Sequence, residues 1–219
     1  MTDAPPHYPN RTARRADLVV HILGLAFATL GGLALLGLAF TQRTPTQTVA
    51  IAIYVAGLIA MLALSAAYNF ARERWRPMLR RLDHAGIFLM IAGSYTPFTT
   101  QRLHGFWAIG MTSAVWGLAG LGVVGKLFLP GLGRKFWVAI YIALGWLAVV
   151  AIEPLIDGTS WVALALLAIG GVVYSTGALF YISKKLTFRR AIWHGHVVGA
   201  SMLHYAAVLV GVVLARAAG

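Results

Sequence analysis

Histidines, an aspartate pair and serines stand inside stretches of chain that are otherwise almost wholly apolar. His194, His196 and His204 fall in one such stretch, which opens at Arg190. Imidazole and carboxylate are general acids, general bases and metal ligands. In a spanning helix they are costly, so they turn toward the bundle interior and find partners there. At about 100° per residue, His194 and Ser201 share a helix face and Arg190 lies about 40° from it. His196 points nearly the other way, and His204 lies about 15 Å deeper, so one ion cannot hold both His194 and His204 from a regular helix. Ser65, Tyr68 and Asn69 share a second face by their i, i+3, i+4 spacing. Asp17 and His21 open the first apolar stretch, and Asp83 and His84 open the third.

These groups need long apolar helices to hold them. Of 219 residues, 59% are hydrophobic and 11% charged, and the mean hydropathy is +0.77. A soluble domain is about 45–50% apolar and about 25% charged. The fold class is therefore an all-α integral membrane protein. Seven stretches reach spanning length, at 18–41, 48–70, 84–100, 105–128, 135–153, 159–183 and 191–215. They form one seven-helix bundle over 18–215, behind a basic tail at 1–17. The first run is longer than a signal-peptide core, so it reads as a retained span. Short connections leave no room for an extramembrane domain.

Cysteine is absent, which excludes disulfides, thiolate metal sites and a cysteine nucleophile. The net charge is +12. Its basic residues lie between spans, so they match anionic headgroups and membrane orientation rather than nucleic acid. Fifteen of the eighteen lysines and arginines fall on one side. They are Arg11, Arg14, Arg15, Arg72, Arg74, Arg76, Arg80, Arg81, Lys126, Arg134, Lys135, Lys184, Lys185, Arg189 and Arg190. Arg43, Arg102 and Arg216 fall on the other. This asymmetry predicts a cytoplasmic N-terminus and an outside C-terminus.

That orientation brings Asp17, His21, Ser65, Tyr68, Asn69, Asp83, His84 and His194 to one cytoplasmic-side level. A shared polar cavity follows, with Arg190, Ser201 and His204 as further lining. Each His taken singly also suits the headgroup zone, where polar tips are routine. Two features carry no chemistry. "GLGVVGK" at 120–126 spells a dinucleotide-binding pattern, but it lies in an apolar helix without the strand that such a site needs, so it reads as helix packing. Glu153 precedes "PLIDG" and Asp157 lies within it, a sequence that predicts a solvated turn. Trp107, Trp137, Trp161 and Trp193 near span ends predict an aromatic belt.

"SAAYN" at Ser65, "RRLDHAGIFLMIAGSYTPF" at Arg80 and "IWHGHVVGASMLHYAAV" at Ile192 resemble the haemolysin III family, bacterial relatives of the progestin and adipoQ receptors. The resemblance runs through all seven spans. It implies an intramembrane zinc site near the cytoplasmic side, with S-x3-H in span 2, an Asp opening span 3 and H-x3-H opening span 7. It also implies a zinc-held water able to attack a lipid amide. On this pattern Ser65 and Asp83 hold the catalytic positions and His194 is the metal ligand. Two expected histidines are replaced, by Asn69 and by Arg190. Arginine stays protonated and cannot ligate.

Two outcomes remain open. His84, His194 and Asp83, with or without His21, rebuild a zinc site. Or Arg190 supplies the missing positive charge and pairs with Asp83. The resulting expectations are a lipid-sensing or membrane-homeostasis protein of the bacterial inner (plasma) membrane, a zinc-dependent lipid amidase, or an oligomeric pore-former. Against the last, no span shows a continuous polar stripe. The expected partners are membrane lipids and copies of the same chain in a homo-oligomer, with no nucleic acid.

Overall fold

The computed structural model describes residues 7–41, 45–129, 131–182 and 186–215. Arg43, Lys184, Lys185 and Arg216, counted in the charge asymmetry, lie outside the described residues. The described chain is nearly all helical, as hydrocarbon requires of a chain that must satisfy its own backbone. The helices are α1 (Arg11–Thr41), α2 (Pro45–Phe70), α3 (Arg76–Gln101), α4 (Gly105–Phe128), α5 (Arg134–Gly145), α6 (Ile152–Gly158), α7 (Trp161–Ile182) and α8 (Arg189–Val208). A 3₁₀ turn, Leu147–Ala151, joins α5 to α6, and the two act as one rod.

Six rods are long and apolar enough to cross a membrane: α1, α2, α4, the α5–α6 pair, α7, and α8 with its extension to Val213. The seventh, α3, has 26 residues, about 39 Å at 1.5 Å per residue. It begins at Arg76, well before the predicted start at His84. Its first turns carry Arg76, Arg80, Arg81 and Asp83, and those charges hide the helix from a hydropathy reading. Likewise α1 begins at Arg11, inside the segment read as a tail. Asn10 starts it by accepting a hydrogen bond from the Ala13 amide at 2.7 Å, the usual work of a helix-capping residue.

The predicted turn at Glu153–Gly158 is instead the short helix α6. Pro154 falls in its first turn, where the missing N–H breaks no helical bond, and Glu153 sits favourably at the helix start. Trp137 leaves the predicted belt. It is buried against Phe88, and the Lys126 ammonium lies 4.6 Å from its ring centre.

Neighbours in sequence are neighbours in space. The pairs α1–α2, α2–α3 and α3–α4 pack together, α7 packs on α8, and α8 closes against α1. Helix α3 also touches α5 and α8, so it sits toward the middle. Small residues permit these approaches: Gly24 faces Val198, Gly32 faces Val55, and Gly122 of the dinucleotide-like sequence faces the Phe88 ring. Leu23, Leu30, Phe40, Ile109 and Leu121 project outward, as lipid-facing side chains do. Near the far end of α8 the helix widens into a π turn over Leu209–Val213. The freed Val212 carbonyl accepts from Gln47 Nε2 at 3.0 Å and from Arg102 at 3.4 Å.

Candidate functional site

The site lies where the beginning of α1, the end of α2 and the beginnings of α3 and α8 meet. Asp17 and His21 are one turn apart on α1, and both are buried. Ser65 and Asn69 are one turn apart on α2, and Arg190 and His194 one turn apart on α8. Each helix therefore presents two polar groups on one face by i, i+4 spacing.

Hydrogen bonds define the centre. His194 Nδ1 lies 2.6 Å from Asp17 Oδ1, and the Tyr8 hydroxyl donates to Asp17 Oδ2 at 2.5 Å. His21 Nδ1 lies 2.8 Å from the Asp17 carbonyl oxygen. Both Nδ1 atoms face pure acceptors, so both carry a proton, and in the neutral ring Nε2 keeps its lone pair. Both lone pairs are aimed at one atom. Ser65 Oγ lies 3.3 Å from His21 Nε2 and 3.4 Å from His194 Nε2. The two rings stand edge to face, with centroids 4.3 Å apart.

A second layer holds Asn69. Its amide donates to the Ser65 carbonyl at 3.0 Å and faces Ser65 Oγ at 3.5 Å. Its oxygen accepts from Arg190 Nη1 at 3.2 Å and from His7 Nε2 at 3.2 Å. Arg190 also donates through Nε to the His7 carbonyl at 3.1 Å and through Nη2 to His7 Nδ1 at 3.2 Å. The guanidinium thereby fixes the His7 tautomer, and together they turn the Asn69 amide toward Ser65. The His7–Asn10 segment lies across this end of the bundle. Burial and the Arg190 charge push the His7 imidazole down to about 4. Burial, then the bond to Asp17, pushes the Tyr8 phenol up.

A cavity of about 330 Å³ opens beside the centre. Its polar end carries Ser65, Asp83, His84, Arg190 and His194, and its far end reaches Tyr95 and Trp146. Asp83 to Tyr95 is about 18 Å along α3 at 1.5 Å per residue. Ile87, Met90, Ile91 and Val138 line the middle. The volume is at the small end of the range for ligand sites.

The predicted residues divide. His21, Ser65, Asn69, Arg190 and His194 meet directly. Asp83 joins them from the cavity wall through a hydrogen bond with the Ser65 side chain, and Tyr68 lies beside them. His84 turns away, with Nε2 3.4 Å from the Tyr181 hydroxyl and Nδ1 without a partner among the described residues. Ser201 bonds Tyr174 at 2.7 Å, behind the wall. His204 packs on Gly170 and Tyr174 at the cavity's deeper side. The expected Arg190–Asp83 pair is not formed. The first turn of α8 points Arg190 at Asn69 and at the N-terminal segment, which supply its acceptors.

Two groups were missed. Asp17 was read as polar but not as a site residue, although its i, i+4 relation to His21 was visible. His7 and Tyr8 gave no signal, because nothing in their sequence predicts that the segment folds back.

Comparison with known proteins decides the family. The family model described as "Haemolysin-III related" matches residues 12–205. The chain belongs to the haemolysin III family. It is 31% identical to the "Hemolysin-3 homolog" of Bacillus subtilis (strain 168) over 89% of this chain and 92% of that protein. It is 32% identical to "Hemolysin-3" of Bacillus cereus over 89% of each. It is 30% identical to the "Heptahelical transmembrane protein ADIPOR2" of Oryza sativa subsp. japonica over 71% of this chain and 79% of that one. This haemolysin III-family member is a multi-pass membrane protein.

The zinc implied by the family can be tested against the donors present. At the two replaced positions stand an amide whose oxygen is covered by a guanidinium and the guanidinium itself. Neither fits. A different group, Asp17, His21 and His194, brings one ligand atom each within 4.8 Å of the others, and it is the one such group among the described residues. It replaces the rebuilt set expected around His84 and Asp83. Its bonding is already closed, however. Both Asp17 oxygens and both Nδ1 atoms are used, which leaves two Nε2 atoms. A zinc site uses three or four protein ligands. The residues do not fit the group.

Proposed function

We propose that the protein holds a membrane lipid in its intramembrane cavity, in a lipid-sensing or membrane-homeostasis role. The observation that carries this reading is the cavity's polarity: ionisable and hydrogen-bonding groups at one end, apolar walls over most of the rest. An amphiphile matches it, headgroup beside Arg190 and Asp83, chain along α3. The basic side of the bundle suits the cytoplasmic face of a bacterial inner membrane. The zinc-dependent amidase is the competing reading, supported by the Asp17–His21–His194 cluster and weakened by its closed bonding.

Lipid analysis of purified protein tests the proposal. Wild type is expected to carry a stoichiometric lipid, and Ala178→Trp, which fills the cavity, is expected to carry none. Equal lipid content in the two, at equal folded yield, would overturn it.

A further inference from the structure

Two imidazole lone pairs on one serine oxygen need an explanation beyond packing. The order of atoms from Asp17 is carboxylate, Nδ1–H, imidazole, Nε2, hydroxyl. That is the arrangement that makes serine a nucleophile: a base within reach of the hydroxyl, and a carboxylate that fixes the base's tautomer. The Nε2–Oγ separations of 3.3 and 3.4 Å are long for a hydrogen bond, as such contacts often are without substrate. The Asn69 amide, on the same side of Ser65, is turned toward it by Arg190. It is a hydrogen-bond donor where negative charge would develop beside Oγ.

We propose that Ser65, His194 and Asp17 form a metal-independent acyl-transfer centre that takes fatty-acyl esters or amides from the adjoining cavity. Ser65 Oγ attacks the acyl carbonyl carbon while His194 Nε2 accepts its proton. The Asn69 amide donates to the resulting oxyanion. The C–O or C–N bond of the substrate then breaks, and the alcohol or amine leaves with the proton from His194. An acyl ester remains on Ser65. Water, giving a proton to His194, attacks that ester and releases the fatty acid, and the proton returns to Ser65. Ser65 and His194 are catalytic residues here. Asp17 is a positioning residue, and His21 is a second imidazole that holds the Ser65 hydroxyl in place. Among the residues at the centre, His21 and Asp17 come from α1, so this assignment does not use the replaced positions as ligands. It rests on the lipid reading of the cavity only for the acyl chain.

The test is covalent. The full-length protein in nanodiscs is incubated with an alkyl fluorophosphonate, which loses fluoride as a P–O bond forms. The expected result is one adduct mapped to Ser65, formed at the same rate with a strong chelator present. Labelling is absent in Ser65→Ala and falls on the order of 10²-fold or more in His194→Gln. Asp17→Asn also slows it, and Asp17→Glu restores part of the rate, which loss of structure alone would not produce. Thermal unfolding of each variant confirms that it is folded. No adduct on folded wild-type protein overturns the proposal, as does labelling at an unchanged rate in His194→Gln. So does labelling that a chelator abolishes. Lipid content is measured on Ser65→Ala in parallel. Lipid retained without any wild-type adduct sinks the acyl-transfer centre alone, and an adduct without lipid sinks the cavity reading alone.

Discussion

His194 and His204 are ten residues apart on one helix, and the bundle treats them differently. Around His194, three helix ends and the N-terminal segment bring Asp17, His21, Ser65, Asn69, Arg190 and Tyr8 into a network where each ring nitrogen of His21 and His194 has a partner. His204 is packed between α7 and α8, and its Nε2 has no partner among the described residues. Buried polar groups are costly unless satisfied. The fold therefore assembles a network around one imidazole and gives the other a single bond, to the Leu167 backbone. Burial alone does not mark a site; convergence of separate elements on one atom does.

The largest expected effect at the first centre is Asp17→Ala. It strips partners from Tyr8 and from His194, while the His21 bond to the Asp17 backbone stays. Two hydrogen bonds to a charged group, at about 1.5–3 kcal/mol each, predict roughly 3–5 kcal/mol of lost stability in detergent, read as thermal unfolding. A loss below about 1 kcal/mol, the level of an ordinary surface change, would show that the network contributes little.

Next is Arg190→Ala, which frees Asn69 and the His7 segment together. It should lower stability by about 1–3 kcal/mol, and Arg190→Lys should recover only part, because a single ammonium cannot serve three acceptors in the guanidinium's plane. Full recovery with Lys would mean that charge alone matters.

A pH effect at the docked N-terminal segment tests the first region further. His7 faces Arg190, Arg76 and Asp17, and its imidazole is pushed down from 6.5 to about 4. The docked segment thus binds fewer protons than the released one. Docking is strongest above about pH 6.5 and weakens as pH falls toward about 4. The chain has no cysteine, so a dye on Pro9→Cys reports the segment alone. Its environment should become more polar over that window and stay constant from pH 7 to about 8. A dye signal flat across the window would contradict the docking geometry.

The smallest effect is expected at the second region. His204→Leu removes one unpartnered nitrogen and one bond to the Leu167 backbone and keeps an apolar volume against Gly170, so stability should fall by no more than about 1.5 kcal/mol. A larger loss would mean that His204 Nε2 has a partner as well.

Much of this contrast was legible in the sequence. Helical periodicity separated His194 from His204 by face and depth, and the apolar runs gave the bundle, because spanning helices must be long and continuous. Helix α3 was cut short, since Arg76, Arg80, Arg81 and Asp83 mask its first turns. The site was half legible. Ser65, Asn69, His21 and His194 share a membrane level, and level follows from topology. Which of them touch depends on how helix ends tilt together, and that placed Asp17 in the centre and His84 outside it. The Arg190 partner was misread because its acceptor is a segment with no periodic signal.

The central claim is that hydrogen bonds, not ligand bonds, organise the Asp17–His21–Ser65–His194 centre. Metal content together with the response to a chelator tests it most directly. Protein purified without added metal should contain no stoichiometric zinc, and its unfolding temperature should not move when a strong chelator is added. About one zinc per chain, lost in His194→Ala and with a chelator lowering the unfolding temperature as removal of a bound ligand must, would contradict it.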